Sequence, residues 1–131
     1  MTTFDIGLIP FAKTMGVAVV EASKDKVVGT LHVAPEICTT GGILHGGAAM
    51  AFADTLGAIG GFLALPEGAT GTTTLESKTN FLGAAKVGTT VTGETTPVHR
   101  GRRTSVWQTK ITGEDGKPVA LVIQTQMALG V

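Results

Sequence analysis

The chain has 131 residues, 43% of them apolar and 15% charged, with a formal net charge of zero. That is enough for one domain with a full core, residues 1–131, and the balanced charge removes the electrostatic case for nucleic acid or an anionic membrane surface. The single cysteine, Cys38, excludes an internal disulfide and a cysteine-built metal site.

From the start, Phe4, Ile6, Ile9, Phe11 and Met15 suggest a short amphipathic helix, or an irregular cover, broken near Pro10. Asp5 and Lys13 interrupt this apolar start, and no basic stretch precedes an apolar core, so no targeting segment is expected. Val17–Ala22 reads as a strand. After a turn at Asp25 and Lys26, Val27, Gly29, Leu31 and Val33 alternate with Val28, Thr30 and His32, the pattern of a half-buried strand. His32 falls on its polar face and needs no special role. A loop follows from Pro35 to Ile43.

The next segment, Gly46 to Leu65, reads as a helix rich in Ala and Leu and ended by Pro66 and Gly68. It is long enough to span a bilayer, yet it holds Asp54 and five glycines and lacks a basic flank. At 100° per residue, Phe52, Leu56, Ile59 and Leu63 form one bulky stripe suited to packing on a sheet. Asp54 lies nearly opposite, among Gly47, Met50, Ala51, Gly57, Ala58 and Gly61. That small face invites close approach by a partner backbone, a second copy of the helix or a ligand. Asp54 is the only formal charge between Glu36 and Glu67. A carboxylate in such a setting either performs chemistry or pairs with a distant cation.

His45-Gly46-Gly47 opens this helix. First-turn N–H groups have no intrahelical acceptor, so an oxyanion could be held there. The plain alternative for His45 is a helix-start residue whose imidazole bonds the backbone. Nine residues put His45 and Asp54 about 13 Å apart along the axis and on opposite sides. They can meet around one small group only if a second copy supplies one of them, which predicts a site shared between two chains.

Beyond Gly68 the composition turns to Thr and Val. Thr70–Leu82, Val87–His99, Thr104–Gly113 and Val119–Leu129 read as four consecutive antiparallel strands, with a hairpin signal at Glu114-Asp115-Gly116-Lys117. In the last, Val119, Leu121, Ile123, Thr125, Met127 and Leu129 alternate, which suits a central position. Arg100, Arg102 and Arg103 cluster at one turn, either as a solvated loop or as a phosphate-binding group. The whole is an α+β layer in which a curved antiparallel sheet wraps one long helix.

Gly42-Ile43-Leu44-His45-Gly46-Gly47 with Asp54, then Asn80-Phe81-Leu82, Lys86-Val87-Gly88, His99-Arg100-Gly101-Arg102-Arg103 and Asp115-Gly116-Lys117-Pro118-Val119-Ala120 follow one another at characteristic spacings. Through them the chain resembles hotdog-fold acyl-CoA thioesterases of the phenylacetate-degradation and 4-hydroxybenzoyl-CoA thioesterase-like group. The resemblance implies the hotdog fold, with two chains pairing into one sheet as a homodimer and dimers associating into a homotetramer. It implies a catalytic carboxylate at Asp54, an oxyanion-binding N–H at Gly46 with Gly47 beside it, and a thioester-polarising role for His45. Thr39 stands where relatives carry Asn or Gln, and Thr74 (or Thr73) aligns with a polar strand residue near the attacking water.

The function this implies is hydrolysis of an acyl-CoA, aromatic acyl groups included, with Asp54 as general base or nucleophile. Coenzyme A enters only as part of the substrate, and no metal or other cofactor is called for. A cytoplasmic location is expected. Two rivals stand beside it: a non-catalytic acyl-CoA binding module, and an enoyl-thioester hydratase.

Overall fold

The computed structural model describes residues 4–131. Asp5 caps a 3-10 turn at Ile6–Leu8 by accepting the Gly7 N–H (2.9 Å). Helix α1, Pro10–Met15, follows, and Gly16 ends it at φ 91°. Pro10 therefore starts a helix instead of breaking one: its ring pre-sets φ and its missing N–H is no loss in the first turn.

Strands β1 (Val17–Ala22) and β2 (Val27–His32) form a hairpin, with Val27, Gly29 and Leu31 facing the core as expected. His32 is exposed. The expected loop at Pro35–Ile43 contains a 3-10 turn and a small hairpin of β3 (Cys38–Thr39) and β4 (Ile43–Leu44), turned by Gly41 and Gly42 at positive φ. Helix α2 runs Gly46–Leu63, two residues shorter than expected. The long strands are β5 (Gly71–Phe81), β6 (Thr90–Arg100), β7 (Thr104–Thr112) and β8 (Pro118–Leu129).

The six-stranded antiparallel sheet has the order β1-β2-β6-β7-β8-β5, and α2 touches every strand of it. This is the hotdog layout. One expectation fails: β5 and β6 are not hairpin partners. Strand β5 pairs with β8 at the far edge, and residues 82–89 cross back past the start of α2. That crossing is tied down by Leu44 N–H to Ala85 O and Val87 N–H to Gly42 O, both 2.8 Å.

The bulky stripe of α2 is seated by glycines on the sheet. Gly29 and Gly93 are direct cross-strand partners. A Cβ on Gly93 would lie 2.6 Å from Leu56 and 3.0 Å from Phe52, so the pair forms a hollow that receives both side chains. Phe52, Leu56 and Ile59 are fully buried, while Leu63 is half-buried.

The small face of α2 corrects the sequence reading. Gly57, Gly60 and Gly61 are buried against the chain's own sheet, under Gln124, Trp107 and Gln126, and are not open to a partner. Strand β8 is central, as expected, but its core-facing side is Ala120, Val122, Gln124, Gln126 and Ala128. The apolar set Leu121, Ile123 and Met127 lies on the other side, half-buried on the outer face of the sheet.

Candidate active site

The start of α2 is built around His45, whose backbone (φ −64°, ψ 136°) is extended while its side chain caps the helix. His45 Nδ1 accepts the Gly47 N–H at 2.8 Å. An accepting Nδ1 fixes the neutral tautomer with the proton on Nε2, leaving that N–H as a donor. Gly47 matters sterically, since a Cβ there would sit 2.9 Å from Nδ1. Its N–H is consumed by the cap, so Gly47, beside the oxyanion-binding Gly46, offers no free donor of its own. The His45 carbonyl accepts from Ala48 and Ala49. Gly46 is half-buried, and its N–H has no acceptor among the described residues. The ring of Phe81 shields one side of it. The free donors at this end are thus the Gly46 N–H and the His45 Nε2–H, at the positive end of the helix dipole.

Asp54 lies two turns further along and is exposed in the single chain. Its Oδ1 accepts from the Thr74 hydroxyl at 2.9 Å and from Gln124 Nε2 at 3.4 Å. Oδ2 has no partner among the described residues. Gln126 Nε2 donates to Thr74 Oγ1 at 2.6 Å, and the one Thr72 hydroxyl proton is shared between Gln126 Oε1 at 3.0 Å and the Met127 carbonyl at 3.2 Å. Both glutamines are 1% exposed. Of the two threonines aligned with this position, Thr74 reaches Asp54; strand alternation turns Thr73 to the other face.

The remaining candidates are not brought here. Thr39 is exposed on β3, at the same end as His45, and makes no side-chain hydrogen bond among the described residues. Arg100 is engaged elsewhere: it donates to the Lys24 carbonyl and to Asp25 (2.9 Å) and lies 5.6 Å over the Trp107 ring. It is not a free phosphate ligand. Arg102 and Arg103 are exposed, have no ion pair among the described residues, and flank a small depression at the far end of α2 with Ala64, Leu65 and Pro66.

An apolar cavity of about 320 Å³ opens one helical turn beyond Asp54, between α2 and the N-terminal segment. Among the described residues, Phe4, Leu8, Ile9, Ala58, Ile59 and Phe62 line it, with Thr72 as the one polar side chain.

Sequence reasoning missed Gln124 and Gln126. The signal was there: two amides spaced i, i+2 share a face of a central strand with Val122 and Ala128, opposite a helix carrying Gly57 and Gly61. Taking the opposite, more apolar face as the core hid them.

The family model described as "Thioesterase superfamily" matches residues 41–120. A protein of Haemophilus influenzae named "Putative esterase" is 34% identical over 103 residues, covering 79% of this chain and 73% of that one. Two further proteins of that description, from Pseudomonas aeruginosa and Pasteurella multocida, are matched over about half their own length. A 1,4-dihydroxy-2-naphthoyl-CoA hydrolase of Listeria monocytogenes is 33% identical over 107 residues, 80% of this chain and 84% of that one. Among solved structures, a hypothetical thioesterase of Streptococcus pneumoniae with coenzyme A superposes with a TM-score of 0.85 at 25% identity, covering 96% of this chain and 98% of that one.

Proposed function

The chain belongs to the thioesterase superfamily, and from that premise we propose that it hydrolyses acyl-CoA thioesters at a site shared by two copies of the chain. The observation that carries this reading is the stripe Gly46, Met50, Asp54 on α2, half-buried at Gly46 and exposed at Met50 and Asp54: a free N–H at one end, a pinned carboxylate at the other. The spacing of four suits antiparallel packing of two such helices about a two-fold axis at Met50. Gly46 of one chain then lies beside Asp54 of the other. The edge strand β5, eleven residues long and bearing exposed Leu75 and Phe81, supports the pairing, since uncovered apolar edges invite a partner strand. The apolar outer face at Leu121, Ile123 and Met127 suits association of dimers into a tetramer.

In this arrangement the thioester oxygen accepts from the Gly46 N–H and the His45 Nε2–H, the donors that stabilise it as an oxyanion. Asp54 of the other chain, held against β5 by Thr74, keeps Oδ2 free and takes a proton from water. The water oxygen bonds to the carbonyl carbon, the C–S bond breaks, and the proton passes from Asp54 to the departing thiolate. A carboxylate tethered to the strand in this way is suited to act through an intervening water. The apolar cavity beyond Asp54 suits an apolar acyl group, and the naphthoyl-CoA hydrolase among the relatives favours an aromatic one. Arg102 and Arg103 are the cations available for coenzyme A phosphates. The coenzyme A bound by the S. pneumoniae relative supports that substrate class.

The test is release of free thiol from a panel of acyl-CoA substrates, with Asp54→Asn alongside. Thiol release that Asp54→Asn lowers at least ~10²-fold is expected. Binding without release would make the protein an acyl-CoA binding module, and loss of enoyl absorbance without thiol would make it a hydratase.

A further inference from the structure

Gln124 and Gln126 are hard to explain as packing. They occupy fully buried positions on β8 between Val122 and Ala128. An apolar side chain would fill the same space without burying an amide, and the Gln124 Oε1 lies buried with no partner among the described residues. The helix is cut away to admit both. A Cβ on Gly57 would lie 2.2 Å from the Gln124 amide carbon, and one on Gly61 would lie 2.9 Å from Gln126 Cγ. Four residues of helix and two of strand span nearly the same length, roughly 6 Å and 6.6 Å, so the two glycines match the two glutamines in register. Both amides then lead to Asp54.

We propose that Gln126 is a positioning residue for Asp54, acting through Thr74, and that Gly61 exists to seat it. This rests on the reading of Asp54 as the reacting carboxylate. The Thr74 hydroxyl has one proton. With the Gln126 N–H occupying one of its lone pairs at 2.6 Å, the proton is turned toward Asp54 Oδ1 at 2.9 Å. Thr72 holds the other end of the amide by donating to Gln126 Oε1. The reverse amide orientation would draw the Thr74 proton away and leave a bare oxygen facing the carboxylate, so an ionised Asp54 selects the orientation seen. The relay runs Thr72 to Gln126 to Thr74 to Asp54, every step donating the same way. It ends by fixing Oδ1, with Gln124 as a second donor, and so leaves Oδ2 as the oxygen that meets water.

The test is a double-mutant cycle in steady-state thioester hydrolysis. Gln126→Met keeps length but has no donor, and Thr74→Val removes the hydroxyl. Each is expected to lower kcat by roughly 10-fold while KM for the acyl-CoA stays within about 2-fold. The double variant should be no slower than Thr74→Val alone. Gln126→Glu, with an acceptor in place of the donor, should be at least as slow as Gln126→Met. Wild-type kcat in a folded Gln126→Met, a loss expressed in KM, or losses that multiply in the double variant would each overturn the proposal. Should Gln126→Met not fold, Gln126→Glu takes its place in the cycle with the same outcomes. Asp54→Asn with wild-type turnover would overturn the reading of the site and this proposal with it. Loss in Asp54→Asn with none in the Gln126 variants overturns this proposal alone.

Discussion

His45 Nδ1 accepts the amide hydrogen of Gly47, two residues on in the same chain, at 2.8 Å. One side chain thereby caps the helix and is held with its Nε2–H free for other use, so capping and chemistry can be separated by substitution. Asn at position 45 can still accept from the Gly47 N–H but offers no donor where Nε2 stands. His45→Asn should therefore melt close to wild type, whereas His45→Ala should lose about 1 kcal/mol. Both should lose turnover alike, by about 10²-fold, the scale of one oxyanion donor. Thermal melts and thiol-release kinetics on the two variants decide it. Full turnover in His45→Asn would leave the residue as a cap only.

A second prediction concerns the seat of the helix. The hollow made by Gly29 and Gly93 has no room for a methyl group, because Leu56 reaches within 2.7 Å and 2.6 Å of the two Cβ positions. Gly93→Ala should overpack it and cost about 1–3 kcal/mol in thermal or denaturant unfolding. Combining it with Leu56→Val, which withdraws the clashing methyl, should recover part of that loss. Two losses that simply add would show that the strain lies elsewhere.

The pattern of the chain made the layout readable. The bulky stripe Phe52, Leu56, Ile59 marked the packed side of α2, and the alternation in β2 marked its inner face. The pairing of β5 with β8 was not readable, because strands joined by a short connection look like a hairpin unless the intervening residues are known to cross the start of the helix. The exposed side of α2 was harder still. Small residues signal close approach but not its partner, and at Gly57 and Gly61 the partner is a glutamine from the same chain. Asp54 stood out through its isolation in an apolar stretch. Gln124 and Gln126 did not, because a strand apolar on both faces gives alternation no polar side by which to orient it.

The arginine cluster separates into two kinds of residue. Arg100 is held by Asp25 and lies over Trp107, while Arg102 and Arg103 are unpaired among the described residues. Replacing Arg102 and Arg103 by Ala should raise KM for an acyl-CoA, and far less for the same acyl group on a short thiol lacking phosphates. Arg100→Ala should leave the ratio of the two KM values unchanged. Equal effects of the double replacement on both substrates would remove these arginines from coenzyme A binding.

The last prediction tests whether the site is shared. Asp54 and Gly46 are eight residues apart on one straight helix, about 12 Å along its axis, too far to act on the same thioester carbonyl. Two variants each spoil one half. Asp54→Asn removes the base. Gly46→Pro removes the oxyanion N–H at the first helical position, where proline is well tolerated. The extended backbone of His45 already suits a following proline, and the partly exposed Phe81 ring can move aside for it. Each variant alone should be inactive. Denatured together in equal amounts and refolded, half of the dimers should be mixed, and each mixed dimer has one site with both groups intact. About a quarter of wild-type activity should then return. If subunit exchange is demonstrated, for example by mass spectrometry of differently labelled chains, and no activity appears, Gly46 and Asp54 do not act on one thioester across the dimer.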